Sequence, residues 1–351
     1  MDIDYTPLSS PIDPQFKERF KKNLYPKNLW FGLNPASWVI LGAVAAGLVF
    51  VGASVYNYSQ QQQIIGMIII AIGLLPLVAL IKVIVGFNAR MLRSMRALMF
   101  TSRNGLLYDL QIKDPKRDGI IFSDPNIKGS FIYDRIYRKA AASNSFRGFE
   151  MGNYYYQVGS GDNQAARSHY YGFLSIDLKN NLPHMVLDAA AQKINIAGLS
   201  LSTIGVPFKK DQIMKLEGNF NDYFTLYAPK GYETDALYVF TPDLMARFID
   251  YASIFSAEII DKKLYIYSAK PFFFDKQETY ELLFGILDTL GLKVLKQTSN
   301  YSDTSAEQKG SVSEAGKRLR KGPPASVYIL IVFIVTVIII ANFDAITALF
   351  K

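Results

Sequence analysis

The chain has 351 residues, a net charge of +8, no cysteine and two histidines, His169 and His184. That length leaves room for one sizeable domain beside its apolar runs. The composition excludes disulfides, thiol catalysis and a zinc site built on cysteine or clustered histidine, so neither a cofactor nor a metal is expected.

The basic surplus has a location. Residues 106–298 hold 22 basic and 22 acidic side chains, so the whole excess lies in the flanks. A nucleic-acid binder carries its excess on the folded domain, and no nucleic-acid partner is expected.

Residues 1–37 form a basic amphipathic arm. Phe16, Phe20 and Leu24 recur every fourth residue, with Lys17, Arg19, Lys21 and Lys22 between them. That spacing puts the rings on one helical face, either in a headgroup layer or packed on protein. Trp30 and Trp38 flank the start of the apolar region, where indole rings favour an interface.

Residues 38–56 and 64–87 are apolar runs broken by the polar residues 57–63, with Lys82 as their one charge. Each suffices to cross roughly 30 Å of hydrocarbon as a helix, so residues 38–87 are expected to form a transmembrane hairpin. Small residues, Gly52, Gly66 and Gly73 among them, suit close packing of its two helices on each other. Residues 88–105 continue as a helical stem, with Arg90, Arg93 and Arg96 about one turn apart.

Residues 106–298 alternate in the manner of short strands at 120–122, 152–158, 170–178, 184–187, 224–227, 258–260 and 264–267, with hairpin turns at Asn180-Asn181 and residues 261–263. Thr241-Pro242-Asp243 starts one helix. Asp275 caps another, which stops at Gly291. Hairpins first and helices late predict an α+β domain with mostly antiparallel strands, alongside three transmembrane helices.

Residues 299–325 are polar and predict a disordered linker ending in Lys317, Arg318, Arg320 and Lys321. Residues 326–343 would be the third span and 344–351 an outer tail. By the distribution of basic residues, the N-terminus and the domain would be cytoplasmic and the C-terminus outside, in a multi-pass protein of the cell membrane. The tryptophans and the basic residues of arm, stem and linker would meet the lipid bilayer and its anionic headgroups.

Few constellations suggest chemistry. His184, with Asp188 four residues on or with Asp177, could serve acid–base work if a loop joined them, although four strand residues span about 13 Å. Ser175 has no nucleophile elbow around it. Gly159-Ser160-Gly161-Asp162-Asn163 lacks the helix and the Lys-Ser/Thr pair of a phosphate loop and fits a hairpin loop. Tyr154, Tyr155, Tyr156, Tyr170 and Tyr171 fit a cross-strand aromatic ladder.

Three stretches carry a resemblance: residues 149–154 (FEMGNY), 171–176 (YGFLSI) with 182–189 (LPHMVLDA), and 216–245, which includes LEGNF and LYVFTPDLM. They resemble uncharacterised bacterial membrane proteins, actinobacterial in type, with an N-terminal transmembrane hairpin and a domain of unknown function. The resemblance implies that layout and no catalytic residue. The expected role is an interaction or scaffold module with a protein partner. The alternatives are a membrane-proximal enzyme using His184 with Asp177 or Asp188, and an accessory subunit of a transporter or secretion complex.

Overall fold

A computed structural model describes residues 3–24, 35–58, 62–139, 148–159, 167–192, 194–196, 199–201, 204, 206–308, 310–322, 334 and 336, the side chains of residues 24, 35–38, 40, 41, 77, 79, 80, 82–84, 87 and 194–201 excepted. The chain divides into two compact units, residues 3–104 and residues 105–351 with 1–2.

The first unit is helical. It holds α1 (Thr6–Ser9), α2 (Pro14–Arg19) with a π turn at Phe20–Leu24, α3 (Pro35–Tyr58) and α4 (Gln63–Arg103). Asp13 caps α2 by accepting from the Gln15 amide at 3.1 Å. Phe20 is buried while Lys17, Arg19, Lys21 and Lys22 are exposed, the one-sided burial that the fourfold spacing predicts.

The arm is tied to the end of α4. Asp4 and Asn104 exchange two hydrogen bonds of 2.8 and 2.9 Å, Arg103 Nε donates to Asp4 at 2.7 Å, and the Tyr5 ring stacks on Phe100 at 6.0 Å. Arg96 donates to the Leu8 carbonyl. The expected stem is thus the second half of α4 and serves as the arm's docking surface.

Helices α3 and α4 run antiparallel, and glycine sets their spacing. A Cβ on Gly66 would lie 2.6 Å from the Tyr56 backbone nitrogen, and one on Gly52 2.8 Å from that of Ile70. Small residues therefore let the two backbones approach, as the sequence suggests.

Among the described residues, no helix is long and apolar enough to cross a membrane. This overturns the expected transmembrane hairpin, the multi-pass cell-membrane placement and the sidedness built on them. Apolar composition alone supported that reading. Helix α3 carries Ser54 and Asn57 in its last turns, and α4 carries Pro76 within its apolar part. The third expected span, 326–343, lies outside the described residues except at 334 and 336.

The second unit is α+β with an antiparallel sheet, as expected. Its strands are β1 (Leu107–Lys113), β2 (Ile127–Arg138), β3 (Phe149–Val158), β4 (Arg167–Ala189), β5 (Ile194–Ile196), β6 (Leu199–Leu201), β7 (Ile213–Met214), β8 (Phe224–Tyr227) and β9 (Ser256–Ser268). Its helices are α5 (Phe220–Tyr223), α6 (Glu233–Val239), α7 (Pro242–Ala252), α8 (Gln277–Ile286), α9 (Leu292–Thr298) and α10 (Glu314–Lys317). Seven strands form the main sheet in the order β1-β2-β3-β4-β8-β7, with β9 along the other edge of β4, while β5 and β6 pair separately.

Strand β4 is the axis. The turn expected at Asn180-Asn181 does not form, and neither does the one at 261–263. Two long strands cross both positions and absorb the polar residues in a shared irregularity between Asp177/Lys263 and Leu182/Asp261. Asp261 adopts φ 51°, which a bulge permits without ending the strand. The segment Ile120–Phe122, expected as a strand, is a 3₁₀ turn whose three side chains are buried. Gly119 lies so close to the Tyr267 hydroxyl that any Cβ there would collide with it.

One face of the sheet carries helices. Phe248 of α7 meets Phe224 edge-on at 6.1 Å, and Phe284 of α8 meets Phe149 at 6.0 Å. Helix α8 starts after Lys276, not at Asp275, and continues through Gly291 into α9. Gly291 serves close packing on Ile176. The other face is covered by Ile120–Phe122, Ile204, Phe208 and Leu319.

That last residue belongs to the expected linker, which is not a loose tether. From 299 to 322 the chain buries Tyr301, Asp303, Val312 and Leu319. Asp303 accepts from the Tyr232 hydroxyl at 2.7 Å and from the amides of Ser305 and Ser313 at 2.8 and 2.9 Å. A few apolar anchors and one well-bonded carboxylate hold a segment whose average composition is polar.

Candidate functional site

The most deeply buried polar cluster lies where β4 and β9 pair. Val186 stands opposite Glu258, and His184, two residues earlier on the same face, is its diagonal neighbour. Glu258 is fully buried. One carboxylate oxygen accepts from His184 Nε2 at 2.8 Å; the other accepts from the Tyr267 hydroxyl at 2.5 Å and the Ile120 amide at 2.8 Å. His184 Nδ1 accepts from the Leu319 amide at 2.9 Å. Because Nδ1 is an acceptor, the ring proton resides on Nε2 and points at Glu258.

The tyrosines around the cluster stay protonated. Burial first, and then the negative charge of Glu258, push the Tyr267 phenol well above its usual value. Tyr265 stacks on it at 5.6 Å and is raised by the same two causes. The Tyr265 hydroxyl is buried with no hydrogen-bond partner among the described residues.

An imidazole oriented by a carboxylate is the arrangement of a general base. Here both ring nitrogens are occupied, by Glu258 and by the Leu319 amide. The cluster as folded exchanges no proton with a substrate. It ties the sheet to two covering segments.

The acid partners expected for His184 stand elsewhere. Asp177 pairs with Lys263 at 2.6 Å near the surface. Asp188 is buried opposite Thr225 on β8. Glu258, 74 residues downstream of His184, takes the role assigned to them. Its signal in the sequence is a lone charge inside the apolar run Ala257-Glu258-Ile259-Ile260.

The tyrosines form the expected ladder. Tyr154 faces Tyr171 and Tyr155 faces Tyr170 across β3 and β4, with the Tyr155 and Tyr170 rings 4.9 Å apart. Residues 160–166, which include most of the glycine-rich stretch, lie outside the described residues, between antiparallel neighbours.

Of the expected lipid-facing residues, Trp30 and the side chain of Trp38 lie outside the described set. Arg90 and Arg93 are half-buried on α4 beside Arg96. The basic group at 317–321 is engaged by the unit itself. Lys317 pairs with Glu314, Arg318 with Asp261 and Arg320 with Asp211, while the Lys321 backbone bridges to Phe208.

No group of three or more His, Asp or Glu among the described residues could hold a metal ion. The largest exposed chemistry is apolar. On α4, Ile64, Ile68, Ile72 and Leu75 line one helical face and are 67%, 54%, 52% and 68% exposed. On α3, Phe50 is 73% exposed. A shallow groove of about 450 Å³, lined by Pro7, Phe16, Leu98, Met99 and Arg103 among others, lies between the arm and α4.

No protein family matches the chain, and no curated protein or solved structure does either.

Proposed function

We propose that the protein is an interaction or scaffold module whose helical hairpin docks on an apolar surface of a protein partner. The observation that carries this reading is the stripe Ile64, Ile68, Ile72 and Leu75, with Phe50 on the neighbouring helix. Monomeric proteins rarely leave contiguous apolar surface of this kind uncovered, and such patches mark interaction sites. The buried cluster supports the same reading from the other direction, because His184 and Glu258 are spent on holding covering segments.

The experiment is affinity capture of the full chain in mild detergent, compared with a variant carrying Ile64→Asn, Ile68→Asn and Ile72→Asn. The expected result is a defined protein that co-purifies with the parent chain and is lost from the variant. A partner retained by a folded variant, or none with either, would overturn the proposal.

A further inference from the structure

Residues 318–322 lie in the second unit the way a bound peptide lies in a receptor. Arg318 is extended, with φ −144° and ψ 136°. The next residue, Leu319, is buried in the core cluster that also holds Ile204 and against which Val206 and Phe208 pack, and it gives its amide to His184 Nδ1 at 2.9 Å. Gln212 then reads the main chain of Arg320 twice: its carbonyl oxygen accepts from the Arg320 amide, and its amide nitrogen donates to the Arg320 carbonyl, both at 2.8 Å. The Lys209 amide donates to that same carbonyl at 3.1 Å, and the Gly322 amide donates to the Pro207 carbonyl at 2.8 Å.

The two flanking guanidinium groups each meet a carboxylate. Arg318 makes a bidentate pair with Asp261 at 2.9 and 3.1 Å, and Arg320 donates to Asp211 at 2.6 Å. Both arginine side chains remain about half exposed, whereas Gln212 and His184 are buried. Recognition thus has three parts: backbone contacts from buried side chains, one apolar pocket, and an acid on each side of it. Main-chain contacts give affinity and pockets for alternate side chains give specificity, as in other extended-peptide receptors.

We propose that this slot, built from His184, Pro207, Lys209, Asp211, Gln212 and Asp261, is a peptide-binding site for extended segments of the pattern basic–apolar–basic. Residues 318–322 occupy it in cis, and a partner protein carrying the same pattern occupies it in trans. The attached segment acts at an effective concentration of order mM, so it excludes weaker partners and sets a threshold for binding. The proposal concerns the second unit and fails independently of the docking role of the hairpin.

The test uses the full chain and a fluorescent peptide of residues 315–322, read by anisotropy. In Arg318→Glu/Arg320→Glu the cis segment is weakened, and the peptide should bind at least about tenfold tighter than to the parent chain. Adding Asp211→Asn and Asp261→Asn should remove that gain. No gain in a folded Arg318→Glu/Arg320→Glu chain would overturn the proposal, as would a gain that survives loss of both acids. If that variant does not fold, amide exchange in the unaltered chain decides. Leu319 and Arg320 amides exchanging far faster than Ile266 of β9 support a segment that leaves its slot. Exchange at the same rate as Ile266 makes the segment a permanent part of the core and refutes the site.

Discussion

Replacing Glu258 with alanine should be among the most damaging single changes in the second unit. Three donors lose their acceptor at once: His184 Nε2, the Tyr267 hydroxyl and the Ile120 amide. Each buried donor left unmade costs about 1–3 kcal/mol. Removing one partner of a buried polar pair typically costs about 3–5 kcal/mol. Tyr267 and Glu258 are fully buried, so water does not replace the lost bonds. A loss of about 5 kcal/mol follows, comparable to the whole stability of many domains. Asp177→Asn is the control: its pair with Lys263 is partly exposed, and such pairs contribute about 0–1 kcal/mol. Urea unfolding followed by near-ultraviolet circular dichroism of the tyrosines measures both; tryptophan fluorescence does not, because Trp30 and Trp38 precede this unit. If Glu258→Ala costs less than about 1 kcal/mol, or Asp177→Asn costs as much as Glu258→Ala, the assignment of the network is wrong.

Other expectations follow from burial and contact. Phe248 is fully buried against Phe224 and Phe240, so Phe248→Ala should cost about 3–5 kcal/mol by the same urea assay. A negligible shift would place that face of α7 outside the core. Gly66→Ala should push α3 and α4 apart and lower the midpoint of helix melting, at a cost of about 1–3 kcal/mol. Gly86→Ala, whose new Cβ meets nothing within 4 Å, should be neutral or stabilising; equal effects of the two would argue against close packing at Gly66. Burial opposes ionisation of Asp303, but the bonds from Tyr232, Ser313 and Ser305 outweigh it and hold the carboxyl below its ordinary value. A depressed carboxyl contributes stability that is full above the ordinary range near pH ~4 and is lost as pH falls through its lowered value. Protection of the Ser313 amide, taken relative to its intrinsic exchange rate, should therefore fall on acidification below about pH 4, and Asp303→Asn should abolish that fall.

The sequence exposes the parts of the fold that local rules decide. Alternation over residues 152–158 and 224–227 reports strands because each side chain there belongs to one face of a sheet. Thr241-Pro242-Asp243 reports a helix start because the cap chemistry is local. Signals fail where tertiary contacts override them. Polar residues at 180–181 and 261–263 look like turns, yet β4 and β9 place their irregularities side by side and run on. The run 120–122 is apolar enough for a strand, but its first amide is claimed by Glu258 and no strand pairs with it. Residues 299–322 look unstructured because Leu319 and Asp303 are rare within them, whereas those two residues make the decisive contacts. For the candidate site, His184 is visible as a lone histidine. Its partner is not, because the pairing spans 74 residues and depends on strand register.

The proposed docking role puts a protein against the apolar faces of α3 and α4. A photo-crosslinking phenylalanine analogue at Phe50, an exposed ring of the hairpin, tests it in intact cells, with the same analogue at Tyr251 of the second unit as reference. A discrete protein adduct is expected from position 50 that position 251 does not give. Adducts confined to lipid, or the same pattern from both positions, would contradict it.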